Sequence, residues 1–435
     1  MRTIAFHTLG CKVNQYDTQA MQELLEQAGY LTVPFTDPAD IYLVNTCTVT
    51  GTGDRKSLQL ARKLKREHPE SLLILCGCMA QQQPETLLRA GADLVLGTQR
   101  RGEIVPLLEQ VLREGKPLCA VEPLGADVPF EPLSISAQSG HTRATLKIQE
   151  GCDNRCSYCI IPQVRGPVRS RPAEDIRAEA ARLCRAGYRE IVLTGIHLTS
   201  YGRDTGGSLL DAIRAVHEVP GLLRIRLGSL EPSVATRDFI RELKGMERIC
   251  PQFHLALQSG SDSVLRRMRR RYNTAQYLRG VENIRELYPD AALTTDVLTG
   301  FPGETEAEFQ ETEAFLRKVG YARIHVFPYS ARPGTEAALL PGALSRQEKE
   351  RRARRLIAVG AEMARDYMVP WVGKAAILLP EEKADGAWEG YTPEYIRVRL
   401  GAGEECAAGV PVRVRLKSVL SHSMSGEIIQ SGKDE

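Results

Sequence analysis

No run of ~18 consecutive apolar residues occurs in this 435-residue chain, so a membrane-spanning helix is not expected. A charged-then-apolar leader is missing too. The N-terminus opens directly into the strand-like stretch Thr3–Leu9, so no secretory signal is expected and a cytoplasmic location follows. Nor is there a strong excess of one charge. Fifty-seven Lys and Arg against 54 Asp and Glu leave +3, too little for the total alone to indicate a nucleic-acid partner. A disulfide framework is a poor fit, because the eleven cysteines are odd in number and spread over a long chain. In a reducing compartment, clustered cysteines are metal ligands or catalytic groups more often than crosslinks. With 43% hydrophobic and 26% charged residues and no low-complexity tract, the chain reads as globular, and its length implies two or three domains.

Residues 1–115 alternate short apolar runs (Thr3–Leu9, Ile41–Val44, Leu72–Leu75, Asp93–Leu96) with helical spacing such as Met21, Leu24, Leu25 and Ala28. This is the pattern of βαβ units and predicts a small doubly wound parallel sheet. Residues 116–140, with Pro117, Pro123, Pro129 and Pro132, read as a linker or strap. From residue 141 the strand–helix pattern repeats six times, with strands near Ala144–Gln149, Glu190–Leu193, Leu223–Leu227, Phe253–Leu257, Leu293–Leu298 and Arg323–Phe327. Six such units predict a partial (β/α)6 barrel, with chemistry at the carboxyl ends of the strands. A charged helix near Ser345–Met368 closes this 141–368 domain. Over 369–435 the pattern becomes alternation, as in Ile396–Leu400 and Val412–Lys417, and predicts a small all-β module.

The densest chemical signal is Gly151-Cys-Asp-Asn-Arg-Cys-Ser-Tyr-Cys-Ile-Ile-Pro162, directly after the first barrel strand. Cys152, Cys156 and Cys159 can each bind one iron of a cubane cluster, leaving the fourth iron open to a cofactor or substrate. A structural zinc site would want a fourth ligand, and no Cys or His lies close by in sequence. A second set, Cys11, Cys47 and Cys78, is dispersed, but each follows a predicted parallel strand. The three therefore emerge at one sheet edge, where such folds bind ligands. Cys76 lies within its strand and reads as buried, and Cys119, Cys184, Cys250 and Cys406 have no ligand-like context.

The C-x3-C-x2-C spacing, with aromatic Tyr158 before the last cysteine, resembles the radical S-adenosylmethionine superfamily. Thr8-Leu-Gly-Cys-Lys-Val-Asn-Gln-Tyr-Asp17, Asn45-Thr-Cys-Thr-Val49 and Gly77-Cys-Met-Ala80 resemble the N-terminal domain of its methylthiotransferase branch, and the C-terminal module is similar to a TRAM domain. The resemblance covers essentially the whole chain. It implies two [4Fe-4S] clusters, one on Cys152, Cys156 and Cys159 as the catalytic centre with S-adenosylmethionine on its open iron, the other on Cys11, Cys47 and Cys78. One S-adenosylmethionine would donate a methyl group to sulfur. A second would yield the radical that removes hydrogen from the substrate.

Segments that follow strands, Leu193–His197, Arg226–Pro232, Leu257–Gly260 and Thr295–Thr305, resemble the family's barrel. With Tyr158 of the thiol loop, they offer Gly195, Ser229, Glu231, Gln258 and Asp296 as cofactor-binding candidates, and His197 as a candidate by position only.

The substrate is the weakest part of the sequence signal. Arg266, Arg267, Arg269, Arg270 and Arg271 form a run with no acid in it, which points to a phosphate backbone. In the β module Arg397, Arg399, Arg413, Arg415 and Lys417 fall on expected outward strand faces, with Trp388, Tyr391 and Tyr395 near enough to stack on bases. By resemblance, Gly10-Cys-Lys-Val-Asn-Gln-Tyr-Asp17 is most like the branch that adds methylthio to C2 of N6-threonylcarbamoyladenosine beside the tRNA anticodon. The partners so implied are a tRNA anticodon stem-loop and a one-electron donor such as flavodoxin. Competing readings are isopentenyladenosine in tRNA, an aspartate of a ribosomal protein, and a non-catalytic iron–sulfur RNA-binding protein. Oligomeric state is not legible.

Overall fold

The structure is a computed structural model that describes residues 1–125, 128–138 and 140–429. Positions 126, 127 and 139 of the expected linker, and 430–435 of the expected β module, lie outside the described residues.

The first six strands, β1 (Thr3–Thr8), β2 (Leu31–Val33), β3 (Ile41–Thr46), β4 (Leu72–Gly77), β5 (Leu94–Leu96) and β6 (Leu118–Ala120), form one sheet in the order β2-β1-β3-β4-β5-β6. All its pairings are parallel. Every residue of β3 is buried, as a strand covered on both faces must be. On one face the helices Lys12–Gln27 and Ile104–Glu114 bury Met21, Leu25, Leu107 and Leu108 against Ile4, Leu43 and Ile74. On the other, Gly51–Glu67 and Pro84–Arg89 bury Ala61, Leu64 and Leu87 against Ala5, Val44 and Leu75. The strand order reverses between β1 and β3, and at such a switch point the two following loops diverge and leave a crevice.

Two elements depart from expectation. The three-residue edge strands β2 and β6 are short and partly exposed, so they lack the apolar run that marks the equally short, buried β5. β6 also falls inside the stretch read as linker, where it extends the sheet. The same stretch buries Leu133 and Ile135 in the central core, so it is a strap tied to both neighbours.

The central unit holds β7 (Ala144–Glu150), β8 (Arg169–Ser170), β9 (Glu190–Gly195), β10 (Arg224–Leu227), β11 (Ser229–Leu230), β12 (Gln252–Leu255), β13 (Ala292–Thr299) and β14 (Arg323–Pro328). These form two sheets, β10-β9-β7-β8 and β11-β12-β13-β14. β10 and β11 are one strand broken at Gly228, where a Cβ would come within 2.8 Å of the Leu193 carbonyl. The third strand of a six-unit arc thus bridges both sheets, and β8 is a short antiparallel arm on β7. Outer helices such as Ala173–Arg185, Thr274–Leu287 and Glu306–Val319 cover the arc, and the helix Arg346–Met368 trails it. The last helix meets β14 closely, since a Cβ on Gly360 would sit 2.5 Å from Ile324.

The final unit is a closed barrel, β15 (Ala375–Ala384), β16 (Ala387–Tyr391), β17 (Arg397–Leu400), β18 (Val412–Val419) and β19 (Met424–Ile428), in the order β15-β16-β17-β19-β18. Val398, Leu400, Val414, Leu416 and Met424 fill it, the inward half of the alternation seen in the sequence.

Candidate active site

The loop after β7 begins at Gly151, with φ +74°, where a Cβ would overlap the Pro167 carbonyl. Only glycine fits there. Cys152 N then donates to Gly166 O at 2.9 Å and Cys159 N to Cys156 O at 3.0 Å, so the three thiols hang from one tight turn. Two donors serve their sulfurs. Asn154 N lies 3.4 Å from Cys152 Sγ, and Arg270 Nη1 lies 3.1 Å from Cys156 Sγ. The same Arg270 donates through Nη2 to Glu231 at 3.1 Å and stacks on Tyr272. Asn154 Nδ2 reaches Glu231 at 3.0 Å and His197 Nε2 at 3.2 Å. Burial pushes the Cys152 thiol up to about 11 and Cys159 to about 12, so both hold their protons at neutral pH and a bound metal would displace them.

A cavity of about 150 Å³ opens on these groups. Of the six candidate cofactor residues, Tyr158, Ser229, Glu231 and Gln258 line it. Tyr158 is walled edge-on by Phe301, and Gln258 adopts φ +65°, a strained conformation of the kind that gathers at functional sites. Gly195 and Asp296 stand outside it. Gly195 is the place where a Cβ would strike Gln149, whose Oε1 accepts from His197 N at 2.7 Å. Asp296 faces His254 at 3.4 Å, while its carbonyl accepts from Gln258 N at 2.9 Å. Both therefore shape the site through a neighbour.

The second set sits at the carboxyl edge of the first sheet. Cys11 precedes the helix Lys12–Gln27, Cys47 follows β3, and Cys78 opens the short helix after β4. The first two flank the switch point. A Cβ on Gly10 would lie 2.9 Å from Cys47 Cβ, and Asn14 Nδ2 ties the loops by donating to Leu9 O at 2.7 Å and Thr46 O at 3.0 Å. Burial pushes the Cys78 thiol up to about 11, against the pull of Arg165, whose Nε lies 3.2 Å from its sulfur.

Arg165 joins the two sets. It ends the helix Ile161–Arg165 that leaves Cys159, and it is fully buried. Besides Cys78 it bonds Asn14, Asp17 (3.1 Å) and Glu150 (3.0 Å). Arg101 and Lys147 complete a buried ionic cluster around Asp17 and Glu150. Burial alone would raise both carboxyls, but the three cations hold them below the usual carboxylate range. Cys78 also packs on Ile160 and Val164.

Among the described residues, no three His, Cys, Asp or Glu side chains converge as ligands of a single ion would. A donor set of this kind, thiols spaced along a loop or across three loops with guanidinium donors at their sulfurs, fits a multi-iron cluster with one thiolate per iron.

Several of the basic residues read as phosphate-facing have acidic partners within the chain. Arg270 turns inward to the thiol loop. Arg267 pairs with Glu308 at 2.8 Å and Arg269 with Glu336 at 2.6 Å, leaving Arg266 and Arg271 exposed. In the final barrel Arg397 and Arg399 share Glu389, and Lys417 pairs with Glu427 at 2.6 Å. Arg413 is exposed and Arg415 half-buried. Trp388 packs against the barrel core, and Tyr391 and Tyr395 stack on each other beneath Arg143 and Arg226. These rings hold the module to the central unit. Arg165, Asn154 and the Asp17–Glu150 cluster were not among the residues that sequence reasoning singled out, and Arg270 was read as facing phosphate rather than the thiol loop. The bonds that give them their place, Asn154–Glu231, Arg165–Cys78, Arg165–Asn14 and Arg270–Glu231, span 39 to 151 residues of chain, outside any local window.

A six-unit parallel arc with a three-thiol loop at its first strand defines a radical S-adenosylmethionine enzyme. The model for the Radical SAM superfamily matches residues 146–316, and that for uncharacterized protein family UPF0004 matches residues 3–97. The chain is 39% identical to the threonylcarbamoyladenosine tRNA methylthiotransferase MtaB of Bacillus subtilis (strain 168), over all of this chain and 98% of that one. It is 36% identical to the protein of the same name from Thermotoga maritima, over 91% of each. It is also 38% identical to a tRNA-2-methylthio-N(6)-dimethylallyladenosine synthase of Symbiobacterium thermophilum, over 98% of this chain and 94% of that one. Among solved structures, the methyltransferase TsrM of Kitasatospora setae shares the fold, with TM-score 0.57 at 15% identity over 78% of this chain and 77% of that one. The chain belongs to the radical S-adenosylmethionine methylthiotransferase family, and it is an enzyme that transfers a methylthio group.

Proposed function

We propose that this enzyme adds a methylthio group to C2 of N6-threonylcarbamoyladenosine beside the anticodon of tRNA, using two [4Fe-4S] clusters. The observation that carries the reading is the pairing of two thiol sets across one shared wall, with Arg165 leaving the first and bonding the second. A radical enzyme that only abstracts hydrogen needs one set. One that also delivers sulfur needs a second metal site beside the first.

Cys152, Cys156 and Cys159, which line the cavity, would hold one cluster, and Cys11, Cys47 and Cys78 would hold the other. When bound, the clusters and S-adenosylmethionine supply the sulfur, methyl and one-electron chemistry that thiol side chains lack. Asn154 and Arg270 donate to sulfurs of the first set and Arg165 to the second, stabilising the thiolate form. Glu231, fixed from two sides by Arg270 and Asn154, lines the cavity and would offer a carboxylate to a cationic group of the cofactor. Tyr158 and Phe301 close one wall against water, and Ser229 and Gln258 line another. Gly195 and Asp296 position their neighbours. On the final barrel Arg397, Arg399, Arg413, Arg415 and Lys417 meet the RNA backbone, phosphates displacing carboxylates such as Glu389 and Glu427. A flavodoxin-like protein supplies single electrons.

The threonylcarbamoyl reading is supported by relatives of that name that align over nearly the whole chain. Nucleoside mass spectrometry of tRNA from a strain lacking the gene tests it. The methylthio form of threonylcarbamoyladenosine should vanish while the unmethylthiolated form accumulates. Loss of the methylthio mark from isopentenyladenosine, or from a ribosomal-protein aspartate, would transfer the assignment.

A further inference from the structure

We propose that Lys12 reads the carboxylate of the substrate's threonyl group, and so separates a threonylcarbamoyl adenine from an uncharged dimethylallyl one. The inference rests on the proposed function and names how that site selects its substrate.

Lys12 follows Cys11 directly and is the first residue of the helix Lys12–Gln27, with its side chain exposed. Arg143, Arg226 and Glu190 act electrostatically on its ammonium, which in turn acts on His325. Among the described residues it has no hydrogen bond or ion pair. The other cations there are already paired. Arg143 meets Glu381 at 2.7 Å, and Lys147 meets Asp17 at 2.7 Å and Glu150 at 2.6 Å. Glu190, the carboxylate that acts on Lys12, is taken by Arg226 at 2.8 Å, Arg224 at 3.5 Å and Arg143 at 3.8 Å. Among the described residues Lys12 is thus an exposed cation with no ion pair, and the carboxylate that acts on it is already shared by three arginines. That is the electrostatic character of a site for an anionic ligand group.

Position supplies the second half of the argument. Adjacent Cα atoms are about 3.8 Å apart, so Lys12 stands beside a ligand of the cluster proposed to carry sulfur. The substrate's C2 must approach that sulfur. C2 and N6 lie on the same edge of adenine, so an N6 substituent falls within the reach of a lysine side chain rooted there. The two substituents in the names of this chain's relatives differ in charge: threonylcarbamoyl ends in a carboxylate, and dimethylallyl is a hydrocarbon. A charge-assisted hydrogen bond from an exposed lysine separates them by about tenfold.

The test uses full-length, iron-loaded enzyme and two anticodon stem-loop RNAs, one bearing threonylcarbamoyladenosine and one bearing its methyl ester. Binding is read by fluorescence anisotropy and turnover as kcat/KM. Wild type should prefer the acid by about tenfold in both. Lys12→Gln should abolish the preference, and Lys12→Arg should keep most of it, at wild-type iron content. A Lys12→Gln enzyme that still prefers the acid, or a Lys12→Arg enzyme that loses the preference with Lys12→Gln, overturns the role of Lys12. Wild type that modifies neither RNA overturns instead the substrate assignment beneath it.

Discussion

At the scale of single residues the thiols carry the account, and the arginines beside them set its terms. Replacing Cys152, Cys156 and Cys159 together by alanine should halve the iron of anaerobically reconstituted enzyme, from about eight to about four per chain. Unchanged iron would place the metal elsewhere. Arg270 gives a sharper probe, because it touches both Cys156 and Glu231. Arg270→Met should leave the iron content near wild type, shift the reduction potential of the first cluster and raise the KM for S-adenosylmethionine. Its role was hidden in the sequence. The C-x3-C-x2-C loop was legible because its geometry is local. Arg270 sat in a run whose acids, Glu231, Glu308 and Glu336, come from distant segments, and the run read as a surface for phosphate.

At the scale of elements, the long strands were readable, and of the shortest only the wholly apolar β5 was. β7, β9, β13 and β14 stand where apolar runs put them, whereas β2, β6 and β8 have two or three residues each and acquire strand geometry only from a neighbour. The placement of the dispersed cysteines followed from topology, since loops after parallel strands share an edge. What no periodicity could show is how charge locks elements together. Glu190 at the start of β9 is fully buried. Burial would raise its carboxyl, but Arg226, Arg143 and Arg224 hold it below the ordinary value. A carboxyl lowered in the folded state stabilises the fold above its unfolded pKa, near 4.5, and loses that contribution as pH falls through the lower folded value. Acid unfolding below about pH 4.5 should therefore be less steep in Glu190→Gln. At neutral pH the same change strands guanidiniums without their buried anion and should cost about 3–5 kcal/mol, read by denaturant titration.

At the scale of the whole molecule, three units are joined by buried polar contacts. Arg165, Asp17 and Glu150 bind the first sheet to the barrel. Arg224 and Arg226 donate to the carbonyls of Ile377, Thr392 and Pro393 in the final module. That module is thus part of the barrel's structure as well as a candidate RNA surface. A chain ending before β15 should melt at a lower temperature than the full chain, because Arg224 and Arg226 lose those acceptors. An unchanged melting temperature would mean that the module is only tethered.

The central claim is that two thiol sets facing across one wall perform methylthiolation on threonylcarbamoyladenosine. Its most direct test is mass analysis of an anticodon stem-loop bearing that nucleoside, after incubation with the reconstituted enzyme, S-adenosylmethionine and a reductant. The account predicts a product heavier by one methylthio group in place of the C2 hydrogen, formed by wild type and absent when Cys11, Cys47 and Cys78 are alanine. The same product from that triple variant, or none from wild type under conditions in which it cleaves S-adenosylmethionine, would contradict it.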